Sequence, residues 1–227
     1  MKFIVIEGLD GSGKSTQIKL LKEYLENNNI RYKYLHFPRT DAPYYGELIA
    51  MFLRGEFGDL KQVSPYLVAL IYAGDRMDAS SMIRTWLDEG YLVLVDRYVY
   101  SNIAFQCAKL EKSEDRTKLM EWIFNLEFDY HKIPRPELNI LLDVPFQFTE
   151  QKLSKNRCGE DRDYLNGKKD IHEASLDFQK TVREVYLEAV KNDPAFCRID
   201  CSNNSEMAEK EQIFEKVISV LKSKNII

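Results

Sequence analysis

The 227-residue sequence has no CxxC pair, and its four cysteines, Cys107, Cys158, Cys197 and Cys201, have no histidines at zinc-ligand spacing. That excludes a zinc module, and the four thiols read as free cysteines of a reducing compartment. No apolar run approaches the ~20 residues needed to cross a bilayer. The chain passes from Met1 straight into KFIVIEG, without the charged region, apolar stretch and cleavage site of a secretory leader. These absences predict a cytoplasmic protein with no membrane contact. A basic run is missing too: the formal net charge is -4, with Lys and Arg interspersed among Asp and Glu. Nucleic acid is therefore not an expected partner. His36, His131 and His172 are scattered and form no triad or metal cluster, and His172, in DIHEAS, reads as a local cap or pairing residue. Repeats and low-complexity linkers are absent, and the length suits one domain over residues 1–227.

Apolar runs of strand length recur at KFIVIE, YKYLHF (32–37), YLVLVD (91–96), LNILLDV (138–144) and FCRID (196–200). Segments of helical period separate them, as in an α/β protein whose five-stranded parallel sheet is covered by helices on both faces. After the first run, STQIKLLKEYLENNN places Ile18, Leu21 and Leu25 on one helical face. Ser64 before Pro65 predicts an N-cap and first turn, with Gly90 closing that helical region. LDFQKTVREVYLEAV and SEMAEKEQIFEKVISVLK are amphipathic and predict surface helices. Residues 154–170, SKNRCGEDRDYLNGKKD, lack an apolar period and mix both charges around two glycines. A loop of that length within a compact domain predicts a lid.

Gly8 to Ser15 fit GxxxxGK[ST] between a strand and a helix. In such a loop the glycines let backbone N–H groups turn toward phosphate oxygens, and the helix adds its positive end. The nucleotide-binding candidates are Gly8, Leu9, Asp10, Gly11, Ser12, Gly13, Lys14, Ser15 and Thr16. Lys14 is expected to reach the terminal phosphates of ATP and the Ser15 hydroxyl to ligate Mg²⁺. Asp96 ends an apolar strand where ligands of open parallel sheets gather, which makes it a second candidate for the Mg²⁺ shell. The DxxG and NKxD elements of a GTPase are absent downstream of the loop, as is the LSGGQ signature of a transporter ATPase. The small size and the late charged loop point instead to phosphoryl transfer between small molecules, a reaction from which a lid keeps water.

FIVIEGLDGSGKSTQ, FPR (37–39), YAGDR (72–76) and VDRYVYSNIAFQ (95–106), in that order, resemble the thymidylate kinases, which phosphorylate dTMP from ATP. The resemblance runs from residue 3 to about 110 and resumes in SLDFQKTVREVYLE. It implies a three-layer P-loop kinase fold and a homodimer. It places Asp10 near the acceptor's 3′-hydroxyl and phosphate, and Arg39 and Arg97 on the acceptor phosphate. Tyr72 would stack on the base while Arg76, four residues on, bonds its edge. Phe37 and Phe105 would complete an apolar slot, although Phe105 stands where Tyr is common, which loosens control of the 2′-position. Gly11 stands where some relatives carry an Arg, so the lid is expected to supply that charge. Arg157 or Arg162 would then close over the phosphates as a catalytic residue with Lys14 and Arg97, while Tyr164 lies near the base. Two alternatives stay open at this point. One is a kinase for another pyrimidine nucleoside monophosphate or a deoxynucleoside. The other is a P-loop protein that holds ATP without turnover.

Overall fold

The computed structural model describes every residue except 1, 61, 155–163, 166, 168, 169, 174 and 205, and it leaves out the side chains of 152–154. Five strands, β1 (Lys2–Glu7), β2 (Tyr32–His36), β3 (Leu92–Asp96), β4 (Leu138–Asp143) and β5 (Phe196–Asp200), form one parallel sheet in the order β2-β3-β1-β4-β5. Central β1 is apolar on both faces, as a doubly covered strand must be. Phe3 and Val5 pack on one side with α3 (Pro65–Asp88), α4 (Val99–Cys107), α5 (Ser113–Phe124) and α7 (Leu176–Asn192). Ile4 and Ile6 pack on the other with α1 (Lys14–Asn27) and α8 (Lys210–Ser223). A smaller cluster of Ile49, Phe52, Leu53, Val68 and Leu165 joins α2 (Tyr45–Leu53) to α3. α6 (Phe146–Ser154) follows β4.

All five predicted strands are present, and α1 buries Ile18, Leu21 and Leu25 as expected. α3 begins at Pro65, but the Ser64 side chain makes no capping hydrogen bond, so the serine supplies only the extended backbone of an N-cap. At the other end Gly90 N–H donates to Leu87 O and Tyr91 N–H to Trp86 O, each at 3.0 Å, closing the helix with a Schellman pair. The last helix starts later than its periodicity predicts. Glu206–Met207 (β7) pairs antiparallel with Ser202–Asn203 (β6), and α8 begins only after a reciprocal Glu209–Gln212 capping box. Ser175 is the N-cap of α7, its Oγ accepting from Phe178 N–H.

One regularity bears on function. The five parallel strands end, in turn, on Glu7, His36, Asp96, Asp143 and Asp200. The carboxyl edge of the sheet is therefore a row of titratable groups, where an open parallel sheet offers its ligand crevice.

Candidate active site

A cleft of about 980 Å³ opens over that edge. The phosphate loop from Asp10 to Ser15 lines one part of it, with Asp96 and Arg97, while Tyr72, Arg76, Asn102 and Gln106 line another. Gly13 adopts φ +82° at the entry to α1, a left-handed conformation that glycine reaches without strain. Lys14 follows and is buried, and its Nζ donates to the carbonyls of Gly8 (3.1 Å) and Leu9 (2.8 Å). Burial, with the nearby Arg97 charge, pulls the ammonium down to about 8. Gly8 and Leu9 thus belong to the loop as backbone acceptors outside the cleft lining. Thr16 is exposed on α1 and also lies outside the lining.

Asp96 is buried beside the loop, and His36 Nδ1 lies 3.2 Å from its Oδ2. Its Oδ1 is buried with no partner among the described residues. Burial opposes ionisation of this carboxyl, but the His36 hydrogen bond and the Lys14 and Arg97 charges hold it below the usual carboxylate range. An ionised oxygen without a partner, next to the exposed Ser15 on the same wall, fits a divalent cation.

Arg97 has φ +65°, an uncommon conformation for a residue other than glycine and one that the surroundings must enforce. Its N–H is fixed to Ile6 O at 3.0 Å, and the N–H groups of Tyr98 and Ser101 both donate to Glu7 Oε1. Glu7 is fully buried, also accepts from Ser101 Oγ and Tyr186 OH, and has its carboxyl pushed up by burial. It serves as a side-chain cap for the start of α4, delivered from the neighbouring strand. Held this way, the Arg97 guanidinium donates to Asp10 Oδ1 (2.6 Å) and Ser101 Oγ (3.2 Å) and lies 5.3 Å from the Phe105 ring centroid.

Arg76 is buried in a two-point ion pair with Glu127, through Nε and through Nη2 at 2.7 Å. Glu127 sits in a π-helical turn, Asn125–Tyr130, that continues α5. Asn102 Nδ2 donates to Glu127 Oε1 and to Ala69 O, each at 3.1 Å. Both partners are acceptors, so the amide orientation is fixed. Among the described residues Asn102 Oδ1 is consequently the group without a partner, and the amide oxygen of Gln106, one turn on, is likewise buried without one. Nη1 is the Arg76 donor that the ion pair does not use.

The remaining expected residues divide. Tyr72, Phe37, Phe105 and Tyr164 all line the cleft, Phe37 also being part of the core. Arg39 lines it as well, but its guanidinium is turned to α3, donating to Asp75 (2.8 Å) and Asp78 (2.6 Å). Arg157 and Arg162 lie outside the described residues, as does most of the lid segment 154–170. Sequence reasoning missed Glu7, Asn102, Gln106 and Glu127 and, beyond residue 163, Asp170 and Gln179, which join Tyr164 and His172 in a polar group. In that group Tyr164 OH donates to Asp170 Oδ2 (3.0 Å), and His172 N–H donates to Asp170 Oδ1 (2.8 Å). Gln179 Nε2 bridges His172 O (2.9 Å) and Asp10 Oδ2 (3.3 Å). His172 pairs locally with Asp170 through its N–H and caps no described helix, while its ring lies in the cleft wall among Phe52, Phe105 and Phe178. Among the described residues no helix is long and apolar enough to cross a membrane, and Cys107, Cys197 and Cys201 form no disulfide.

Comparison with known proteins agrees with this geometry. Residues 6–213 match the family described as thymidylate kinase. A thymidylate kinase of Plasmodium falciparum is 34% identical over 151 residues, which is 66% of this chain and 65% of that one. A probable thymidylate kinase of Thermococcus kodakarensis is 30% identical over 226 residues, 97% of each chain. The structure of a thymidylate kinase from Candida albicans shares the fold with a TM-score of 0.73 at 24% identity, covering 99% of this chain and 92% of that one. The chain belongs to the thymidylate kinase family.

Proposed function

We propose that this chain transfers the γ-phosphoryl group of ATP to dTMP, giving dTDP and ADP, in the cleft above the sheet. The observation that carries the choice of acceptor is the Asn102 carbonyl oxygen, buried and without a partner among the described residues beside the Arg76 guanidinium. An acceptor next to a donor matches the N3–H and O4 edge of thymine or uracil. Cytosine presents the opposite pair there, an unprotonated N3 and an amino group, and would leave buried polar atoms unsatisfied.

The steps follow from the placement of the residues. The phosphate loop and Lys14 take the ATP phosphates, and the ammonium exchanges its two backbone carbonyls for phosphate oxygens. Ser15 and Asp96 would hold Mg²⁺, which when bound neutralises phosphate charge. Asp10 and Arg97, already paired, hold the acceptor's phosphate end in line with the donor. Arg39 can exchange a carboxylate on α3 for the acceptor phosphate. Tyr72 and Phe105 flank the base and sugar. No side chain is required to take a proton, since the acceptor phosphate is ionised near neutral pH. Arg157 or Arg162 would add charge to the transferring group.

The exposed apolar side chains Leu67, Leu70 and Met77 share one stripe of α3, with Leu48 exposed on adjoining α2. A second copy of the chain would cover them, and sedimentation equilibrium should return twice the monomer mass. Cytoplasmic residence is the matching expectation for an enzyme that uses ATP.

The test is ADP release with ATP and Mg²⁺ across dTMP, dUMP, UMP, CMP and thymidine. The expected order places dTMP first, dUMP next and CMP near background. A preference for CMP would overturn the reading of the base edge, and turnover with none would leave an ATP-binding protein.

A further inference from the structure

The ends of the cleft are assigned by their chemistry, which leaves its middle. Phe105 marks that middle: it adjoins Gln106 of the base end in sequence, and its ring lies against the Arg97 guanidinium of the phosphate end. A nucleotide lying between the two ends places its sugar there. His172 adjoins Phe105 on the same wall, the two ring centroids 4.8 Å apart. His172 is 6% exposed, and its Nε2 is buried with no partner among the described residues. The ring is packed by Phe52 (5.4 Å) and Phe178 (5.8 Å), the backbone N–H is fixed to Asp170, and the carbonyl to Gln179. Gln179 also reaches Asp10, tying the His172 backbone to the phosphate end, and the Asp10 and Arg97 charges both act on the imidazole.

We propose that His172 Nε2 hydrogen-bonds a hydroxyl of the acceptor's sugar and so determines which sugars the site takes. The inference rests on the acceptor reading given above. A neutral imidazole nitrogen can accept or donate according to tautomer, and a hydroxyl can do either, so the two match whichever tautomer is present. Burial, with the Lys109 charge nearby, pushes His172 down to about 3, so the ring is neutral under working conditions. Phe105 has no hydroxyl to offer a sugar, whereas the adjoining His172 carries a nitrogen that no described residue satisfies. An apolar site would be indifferent to a sugar hydroxyl, whereas a buried nitrogen left unsatisfied penalises its loss.

Binding of three acceptors to the full chain, followed by titration calorimetry, tests this: dTMP, 3′-deoxythymidine monophosphate and ribothymidine 5′-monophosphate. His172→Phe keeps the aromatic cluster and removes the nitrogen. If the 3′-hydroxyl is bound, the variant should hold dTMP about three- to tenfold more weakly, the worth of one hydrogen bond, and the 3′-deoxy compound unchanged. If the 2′-hydroxyl is bound, only the ribothymidine compound should weaken. Equal weakening of all three, or of none, overturns the proposal, as does a wild-type chain that binds none of them. His172→Gln, which restores a polar atom, should recover part of the discrimination, and thermal melts of both variants report whether the fold is kept. Turnover of dTMP by the wild-type chain is read separately. A hydroxyl-dependent binding pattern without turnover would sink phosphoryl transfer and leave the His172 contact standing.

Discussion

The two ends of the cleft are made in different ways. The phosphate end is a contiguous loop, residues 8–15, whose backbone does the binding and whose lysine is held by carbonyls five and six residues away. The base end is assembled from α3, α4 and the π-helical turn, and its central ion pair joins residues 51 apart. Backbone chemistry is nearly independent of side chains, so the first end should lose function without losing stability. The second holds a buried charge that only a remote carboxylate neutralises, so there function and folding should fail together.

The largest effect is expected at the second end. Glu127→Ala leaves the Arg76 guanidinium buried without its carboxylate and should cost about 3–5 kcal/mol in chemical denaturation. The acceptor KM should rise in the same variant, and a stable Glu127→Ala protein would erase the contrast. Lys14→Ala comes next. It should lower turnover by ~10²–10³-fold with the melting temperature unchanged or raised, since the wild-type ammonium is desolvated. A Lys14 variant that unfolds would make the loop as dependent on side chains as the base end. The smallest effect is the proton held between them. Burial, with the Asp10 charge beside it, pushes Asp170 up to about 7, well above its unfolded value near 4. From about pH 4 to pH 7 the folded chain keeps a proton that the unfolded chain releases, so this group's contribution to stability falls as pH rises through that window. Asp170→Asn should flatten the decline and melt higher than wild type at pH 8, as differential scanning calorimetry at pH 5 and pH 8 would record.

Legibility in the sequence followed the same division. The five strands, the helix after the phosphate loop and the loop itself depend on local pattern, and each is where the pattern puts it. Asp96 was readable because a strand end is a local feature. Glu7 ends a strand as well, yet nothing local marks it, because its role comes from Tyr98, Ser101 and Tyr186, which lie 91 to 179 residues away. Glu127 carries no local signal at all. The start of α8 was misjudged because the short β6–β7 pairing outcompeted a helical pattern that the sequence supports equally well. His172 read as a local cap or pairing residue because such roles can be read from neighbours, whereas its aromatic surroundings come from α2, α4 and α7.

In YAGDR, Gly74 sits where α3 meets α2, and a methyl group added there would lie 2.1 Å from the Tyr45 ring. Neither position can change alone: alanine at 74 drives into the ring, and a smaller residue at 45 opens a hole against α3. The two sites form a lock that single substitutions cannot pick. Relatives with a larger residue at the position of Gly74 should therefore have lost the aromatic at the position of Tyr45. Change at this corner should arrive in pairs, making it slow to vary even though neither residue lines the cleft.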